Sequence, residues 1–206
     1  MDTIYDFVAA RIRQDFASPG FAAADLGAGA GLMATKLESI GYNVVAVDRT
    51  NTDYAAASRH IIVDFDDEDF ASTVGIGSFH LVTALEILDS VQNPISFLTN
   101  IRRLLLPGGV AVLSVARLDL LPAHLRFVLD HAIESLGFER DSDLKSQIFW
   151  EHFSAHFLAF AGMALRDHTL FPQEFLLKRL NPPWMVRHVL VVEPRNPAMD
   201  NLIPVV

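Results

Sequence analysis

Two features of the chain have residue types and spacing that suit nucleoside binding: the run Asp25-Leu26-Gly27-Ala28-Gly29-Ala30-Gly31, and Asp48, seventeen residues after Gly31. Small residues at a strand-to-helix turn let a ligand approach the backbone closely, where the first amides of the helix point outward. An acid at the tip of the next strand can accept hydrogen bonds from both hydroxyls of a ribose. A dinucleotide-binding fingerprint would carry glycine at positions 27, 29 and 32, but position 32 is Leu. No lysine followed by Ser or Thr closes the loop, which excludes a phosphate-cradling P-loop.

For these residues to meet, the chain must place them on neighbouring strands. Short, continuously apolar runs occur at 21–26, 42–48, 60–65, 79–85 and 109–116, each bounded by Gly, Pro, Asn or Asp. Continuous rather than alternating hydrophobicity predicts strands buried on both faces, as in a parallel sheet covered by helices. The stretch 29–41 is predicted helical, as is 94–105, where Ile95, Leu98, Ile101 and Leu105 recur at threes and fours. Asn93 before Pro94 supplies an N-cap, and Pro107-Gly108-Gly109 is expected to end that helix and turn the chain into the next strand. In the second half, 123–137 and 150–161 look helical, and 163–171 and 186–194 read as two more strands. The pattern predicts a doubly wound α/β fold in a single domain over 1–206, with the less regular helical segment 117–162 expected to cover the acceptor site.

Asp25–Gly31 resembles the first motif of the class I S-adenosylmethionine-dependent methyltransferases, and Asp48 resembles their ribose-binding acid. Val63-Asp64-Phe65 is similar to the family segment that lines the adenine, where an Asp side chain and the next backbone amide read its edge. Phe79 to Leu88 resembles the fourth strand, and Asn93-Pro94 to Gly109 resembles the helix and turn that lead into the fifth. His188 to Pro197 is similar to the last, antiparallel strand. The resemblance implies a mostly parallel seven-stranded Rossmann-like sheet and S-adenosyl-L-methionine as cofactor. It implies cofactor contacts from Asp25, Gly27, Ala28, Gly29, Gly31, Asp48, Arg49, Asp64, Phe65, Ala84 and Leu85. Within the family the match leans toward small-molecule enzymes of the ubiquinone-biosynthesis O-methyltransferase type, with in-line methyl transfer to a small acceptor.

Composition narrows the partners. Of the 206 residues 51% are hydrophobic and none is cysteine, so disulfides, thiolate metal sites and cysteine nucleophiles are excluded. The formal charge is −9, which disfavours a nucleic-acid partner. No apolar run reaches the roughly 18 residues of a membrane span, and the N-terminal residues lack a signal-peptide pattern, so a cytoplasmic protein is expected.

The resemblance assigns no catalytic residue. Its nearest members often carry Glu-His after the fourth strand, where this chain has Asp89-Ser90. His152 and His156 share one face of a predicted helix, but Phe153 stands where a metalloprotease pattern needs Glu, so no metal is expected. Asn181-Pro182-Pro183-Trp184 resembles an amino-methyltransferase tetrapeptide but falls between the last two strands, and reads as a rigid turn. The stripe Phe149, Trp150, Phe153, Phe157 and Phe160 reads as core or as the lining of an apolar acceptor pocket. Two alternatives remain at this point: a nicotinamide-dependent oxidoreductase, and a non-catalytic protein that binds S-adenosylmethionine.

Overall fold

The computed structural model describes residues 3–16, 18–50, 53–116, 158–171 and 187–195. The predicted helix over 123–137, His152, His156, the tetrapeptide 181–184 and all of the aromatic stripe except Phe160 lie outside them.

The chain runs α1 (Ile4–Asp15), β1 (Ala22–Leu26), α2 (Leu32–Ile40), β2 (Asn43–Asp48), β3 (Arg59–Ile62), α3 (Phe70–Val74), β4 (Phe79–Ala84), α4 (Pro94–Leu104) and β5 (Leu105–Ala116). A helical turn at Leu158–Phe160 precedes β6 (Met163–Phe171), and β7 (Arg187–Pro194) follows. The strands form one seven-stranded sheet in the order β3-β2-β1-β4-β5-β7-β6. Strands β1 to β5 pair in parallel, and β7 runs antiparallel to both β5 and β6. The expected doubly wound architecture is therefore present. From β1 the chain steps outward to β2 and β3, then returns to β1's other side with β4, which puts a topological switch point between β1 and β4.

Alternate residues of the same strands feed two cores, as the pleat requires. On one face Ala23, Ala46, Leu81 and Val112 pack with Val8 and Ile12 of α1 and Met33 and Leu37 of α2. On the other, Leu26, Val82 and Leu113 pack with Phe70 of α3, Phe97, Leu98 and Ile101 of α4, and Leu158. Asn100 is buried on α4 and ties it to the start of α3, accepting from the Ala71 amide and donating to the Glu68 carbonyl. Asn93 caps α4 by accepting from the Ser96 amide, with Pro94 at the first position.

Three local expectations need correction. β3 ends at Ile62 rather than 65 and is not buried on both faces, because it is the sheet's edge, with Arg59 and Ile62 exposed. The strand ladder of β5 already begins at Leu105, so Pro107–Gly109 forms a bulge inside the strand, between the pairs Phe79↔Leu105 and Leu81↔Val110. A Cβ on Gly109 would stand 3.0 Å from the carbonyl oxygens of Leu106 and Phe79, so the bulge closes only around glycine. Finally, α2 starts at Leu32, since Gly27, Gly29 and Gly31 all have positive φ and keep the loop non-helical.

α1 was not anticipated. Thr3 and Asp6 form a reciprocal capping box at its start. Asp6 also pairs with Lys36 of α2, and Arg11 pairs with Asp167 of β6. These contacts lay α1 across the same face as α2.

Candidate functional site

The carboxyl ends of β1, β2 and β4 converge at the switch point, where the connecting loops leave a crevice in a doubly wound sheet. The glycine loop leaves β1 and is held by two amides: Gly27 and Ala28 both donate to the Val47 carbonyl, at 2.8 and 3.2 Å. Its three glycines meet different surroundings. A Cβ on Gly27 would come within 2.6 Å of Ile87 Cδ1, and one on Gly31 within 2.8 Å of the Ala56 methyl. Ile87 in the loop after β4 and Tyr54-Ala55-Ala56 in the loop after β2 thus clasp the loop from its two sides, and the Ala55 amide donates a hydrogen bond to the Ala30 carbonyl at 3.3 Å. At Gly29 a Cβ would meet nothing within 4 Å. The tip of the loop is open, and its φ of 51° is what glycine satisfies there.

Asp48 ends β2 half-buried. Its Oδ2 accepts the Gly29 amide at 2.7 Å, and its Oδ1 accepts the Arg49 amide at 2.6 Å. Oδ1 also accepts the Thr50 amide at 3.4 Å, so Oδ2 is the oxygen that keeps lone-pair capacity for a further donor. Gly31 is the N-cap of α2 with no side-chain cap bond, so the first amides of α2 are left for other partners.

Asp25 lies beneath the loop, 2% exposed, and accepts the Thr83 hydroxyl of β4 at 2.7 Å through Oδ1. Oδ2 meets no donor with hydrogen-bond geometry among the described residues. Burial, with a smaller push from the charge of Asp48, raises its carboxyl to about 7 against the opposing pull of the Thr83 hydroxyl and the Ala34 amide. Tyr5 of α1 and Tyr54 both have raised pKa values, chiefly from burial. Glu86 and then Asp25 add to the shift at Tyr5, and Glu38 and then Asp25 at Tyr54.

Past β3, Asp64 and Phe65 occupy the next loop. Asp64 faces solvent and pairs with Arg49, Nε to Oδ1 at 3.1 Å. The Phe65 ring belongs to the core, edge-on to Phe70 and Phe97, which leaves its backbone as the part available to a ligand. Ala84 and Leu85 are buried at the end of β4. The structure therefore brings the glycine loop, Asp48, Arg49, Asp64, Ala84 and Leu85 to one end of the sheet, with Asp25 as its floor.

Several residues at this end were not singled out from sequence. Asp66 binds the Arg49 guanidinium and accepts the Gln92 amide at 2.8 Å. Glu86 holds a left-handed backbone (φ 58°), which is strained for a side-chain-bearing residue. The buried Ser114 of β5 locks it, accepting the Glu86 amide at 2.8 Å and donating to Glu86 Oε1 at 3.0 Å. No local pattern announces either contact. Asp89-Ser90 forms a 3-10 turn, Leu88–Ser90, beside them. Among the described residues no group of three or more His, Asp or Glu could hold a metal, and no helix is long and apolar enough to cross a membrane.

Comparison with known proteins gives a consistent result. Residues 23–168 match the profile of a methyltransferase domain. The chain is 28% identical over 124 residues to a ubiquinone biosynthesis O-methyltransferase of Cereibacter sphaeroides, covering 55% of this chain and 50% of that one. It is 34% identical over 117 residues to the enzyme of the same name from Xanthomonas campestris pv. campestris, covering 53% and 47%. The chain thus matches about half the length of these curated relatives. Among solved structures it resembles Burkholderia thailandensis 1,6-didemethyltoxoflavin-N1-methyltransferase, crystallised with 1,6-didemethyltoxoflavin and S-adenosylhomocysteine (TM-score 0.65, 16% identity, 95% of this chain and 80% of that one). It also resembles a methyltransferase from Methanosarcina mazei (TM-score 0.66, 16% identity, 89% and 97%). At these identities the structures establish the shared fold, a Rossmann-like sheet with its last strand antiparallel.

Proposed function

The chain belongs to the methyltransferase-domain family, and from that premise we propose that it transfers a methyl group from S-adenosylmethionine to a small-molecule acceptor by in-line displacement. The observation that carries this reading is the open tip of the glycine loop at Gly29, directly bonded to the Asp48 carboxylate at the switch point. The residues fit the cofactor: the loop keeps space at one glycine while protein fills it at the other two, and the acid stands where a ribose would lie.

When bound, S-adenosylmethionine supplies an electrophilic methyl group on a sulfonium, so the protein's part is alignment, exclusion of water and proton handling. Gly27, Ala28, Gly29 and Gly31 give backbone that a ligand can approach closely. Asp48 accepts from the ribose hydroxyls, and Asp64 with the Phe65 amide reads the adenine edge. Ala84 and Leu85 bound the crevice on the β4 side, and Asp25 supports the loop from below. The acceptor enters beside the loop after β4, where Glu86 is locked by Ser114. The names of the curated relatives support a small organic acceptor, and the charge of −9 speaks against a nucleic acid. A cytoplasmic setting belongs to the same proposal.

Calorimetric titration with S-adenosylhomocysteine, run in parallel with NADH, tests the reading. Micromolar binding of the first and none of the second is expected. Binding of NADH alone would mark an oxidoreductase, and binding of neither would retire the cofactor assignment. Turnover of any acceptor then separates an enzyme from a non-catalytic binder.

A further inference from the structure

Asp66 stands where three loops meet. Arg49 comes from the end of β2, Asp64 and Asp66 from the loop after β3, and Gln92 from the loop after β4. Arg49 reaches both acids, Nε to Asp64 Oδ1 at 3.1 Å and the terminal nitrogen to Asp66 Oδ2. Asp66 gives its other oxygen, Oδ1, to the Gln92 amide at 2.8 Å, and its own amide donates to Asp64 Oδ1 at 3.1 Å. The Asp66 side chain is only 18% exposed, whereas that of Asp64 is 66% exposed. One carboxylate is therefore an anchor and the other is presented to solvent at the crevice rim. Asp64 Oδ1 accepts the Asp66 amide and pairs ionically with Arg49 Nε, and Oδ2 is left to accept from elsewhere.

We propose that Asp66 is a positioning residue that, through Arg49, holds the Asp64 carboxylate as a selectivity gauge for a 6-aminopurine over a 6-oxopurine. This rests on the nucleoside reading of the crevice given above. A guanidinium fork held by two carboxylates has little rotational freedom, so it fixes the carboxylate that its Nε contacts. A fixed acceptor oxygen rewards the exocyclic amine of adenine and penalises a ring oxygen in its place, since two acceptors then face each other. Without the Asp66 carboxylate the Arg49 side chain is free to turn toward solvent, and Asp64 keeps its charge and the Asp66 amide but loses the cation that completes its orientation.

The test is calorimetry on the full chain with S-adenosylhomocysteine and its deaminated analogue S-inosylhomocysteine. Wild-type protein should prefer the adenine compound by about ten-fold or more, the scale of one charged hydrogen bond. Asp66→Asn should cut that preference to about two-fold, by weakening the adenine compound and leaving the inosine compound nearly unchanged. Arg49→Gln, which removes the link and spares the anchor, should do the same. A thermal melt on each variant confirms that it is folded. Equal weakening of both ligands would show a merely structural role and overturn the proposal, as would an undiminished preference in both variants. If wild-type protein binds neither compound, the cofactor reading falls and this inference with it. If wild-type protein binds both equally, this inference alone falls.

Discussion

The Asp48 carboxylate accepts the Gly29 backbone amide at 2.7 Å, joining the tip of β2 to the open tip of the glycine loop. The acid that would hold a ribose thus also holds the loop that would receive the rest of the ligand. A nucleoside arriving here finds the carboxylate already oriented, so little ordering entropy remains to be lost at that group.

Asp48→Ala should weaken S-adenosylhomocysteine binding by about 1.5–3 kcal/mol, the scale of hydrogen bonds to an ionised group. The Gly29 amide loses its partner in the same substitution, so the loop tip should also show faster amide exchange. Calorimetry gives the first quantity and hydrogen exchange the second. Near-wild-type affinity in a folded variant would contradict the ribose role.

The glycines should separate binding from folding. Gly29→Val puts its side chain into open space at positive φ, costing about 1–2 kcal/mol of strain, while filling the place a ligand needs. Gly27→Val must displace Ile87 and should cost about 1–3 kcal/mol more through overpacking. Paired urea melts and titrations should find Gly29→Val folded and unable to bind, and Gly27→Val clearly less stable.

Asp25 predicts a pH dependence of stability. Burial raises its pKa from the ordinary 3.8 to about 7, so between those values the folded state binds a proton that the unfolded chain releases. The contribution is fully present below about pH 4 and is lost as the pH rises through 7. Asp25→Asn keeps an acceptor for Thr83 without the charge, so its melting temperature should exceed wild type at pH 8. The difference should shrink toward pH 4. A constant difference across that range would show that Asp25 does not titrate with folding.

Ser114→Ala removes the acceptor of the Glu86 amide and the donor to its carboxylate at a buried position. The unmade bonds should cost about 1–3 kcal/mol in a denaturant titration. Under the proposed function the variant should also lose turnover more than cofactor affinity, because Glu86 borders the acceptor side. Unchanged kcat with reduced stability would leave the lock a feature of the fold alone.

How far the sequence could be read follows from where each signal resides. Strands β1, β2 and β4 stand within a residue of their apolar runs, because burial inside the sheet writes itself into consecutive residues. The Asn93-Pro94 start of α4 is equally local. α1 was missed although Thr3 and Asp6 spell a capping box, since the helix shows its apolar face only once α2 and the sheet lie against it. β3 looked as buried as its neighbours because three apolar residues read alike in the middle of a sheet and at its edge.

The sequence alone determined the α/β class, the glycine loop at the end of β1 and the acid at the end of β2, since periodicity, backbone propensity and turn chemistry act over a few residues. Only the tertiary structure decided that Gly29 faces open space while Gly27 and Gly31 are filled by Ile87 and Ala56. It alone showed that burial under the loop raises the Asp25 carboxyl, and that Arg49 joins Asp64 to Asp66. The physical reason is that desolvation, close approach and charge pairing depend on distance in space. The residues involved lie on neighbouring strands and the loops that follow them, between 15 and 60 positions apart in the chain.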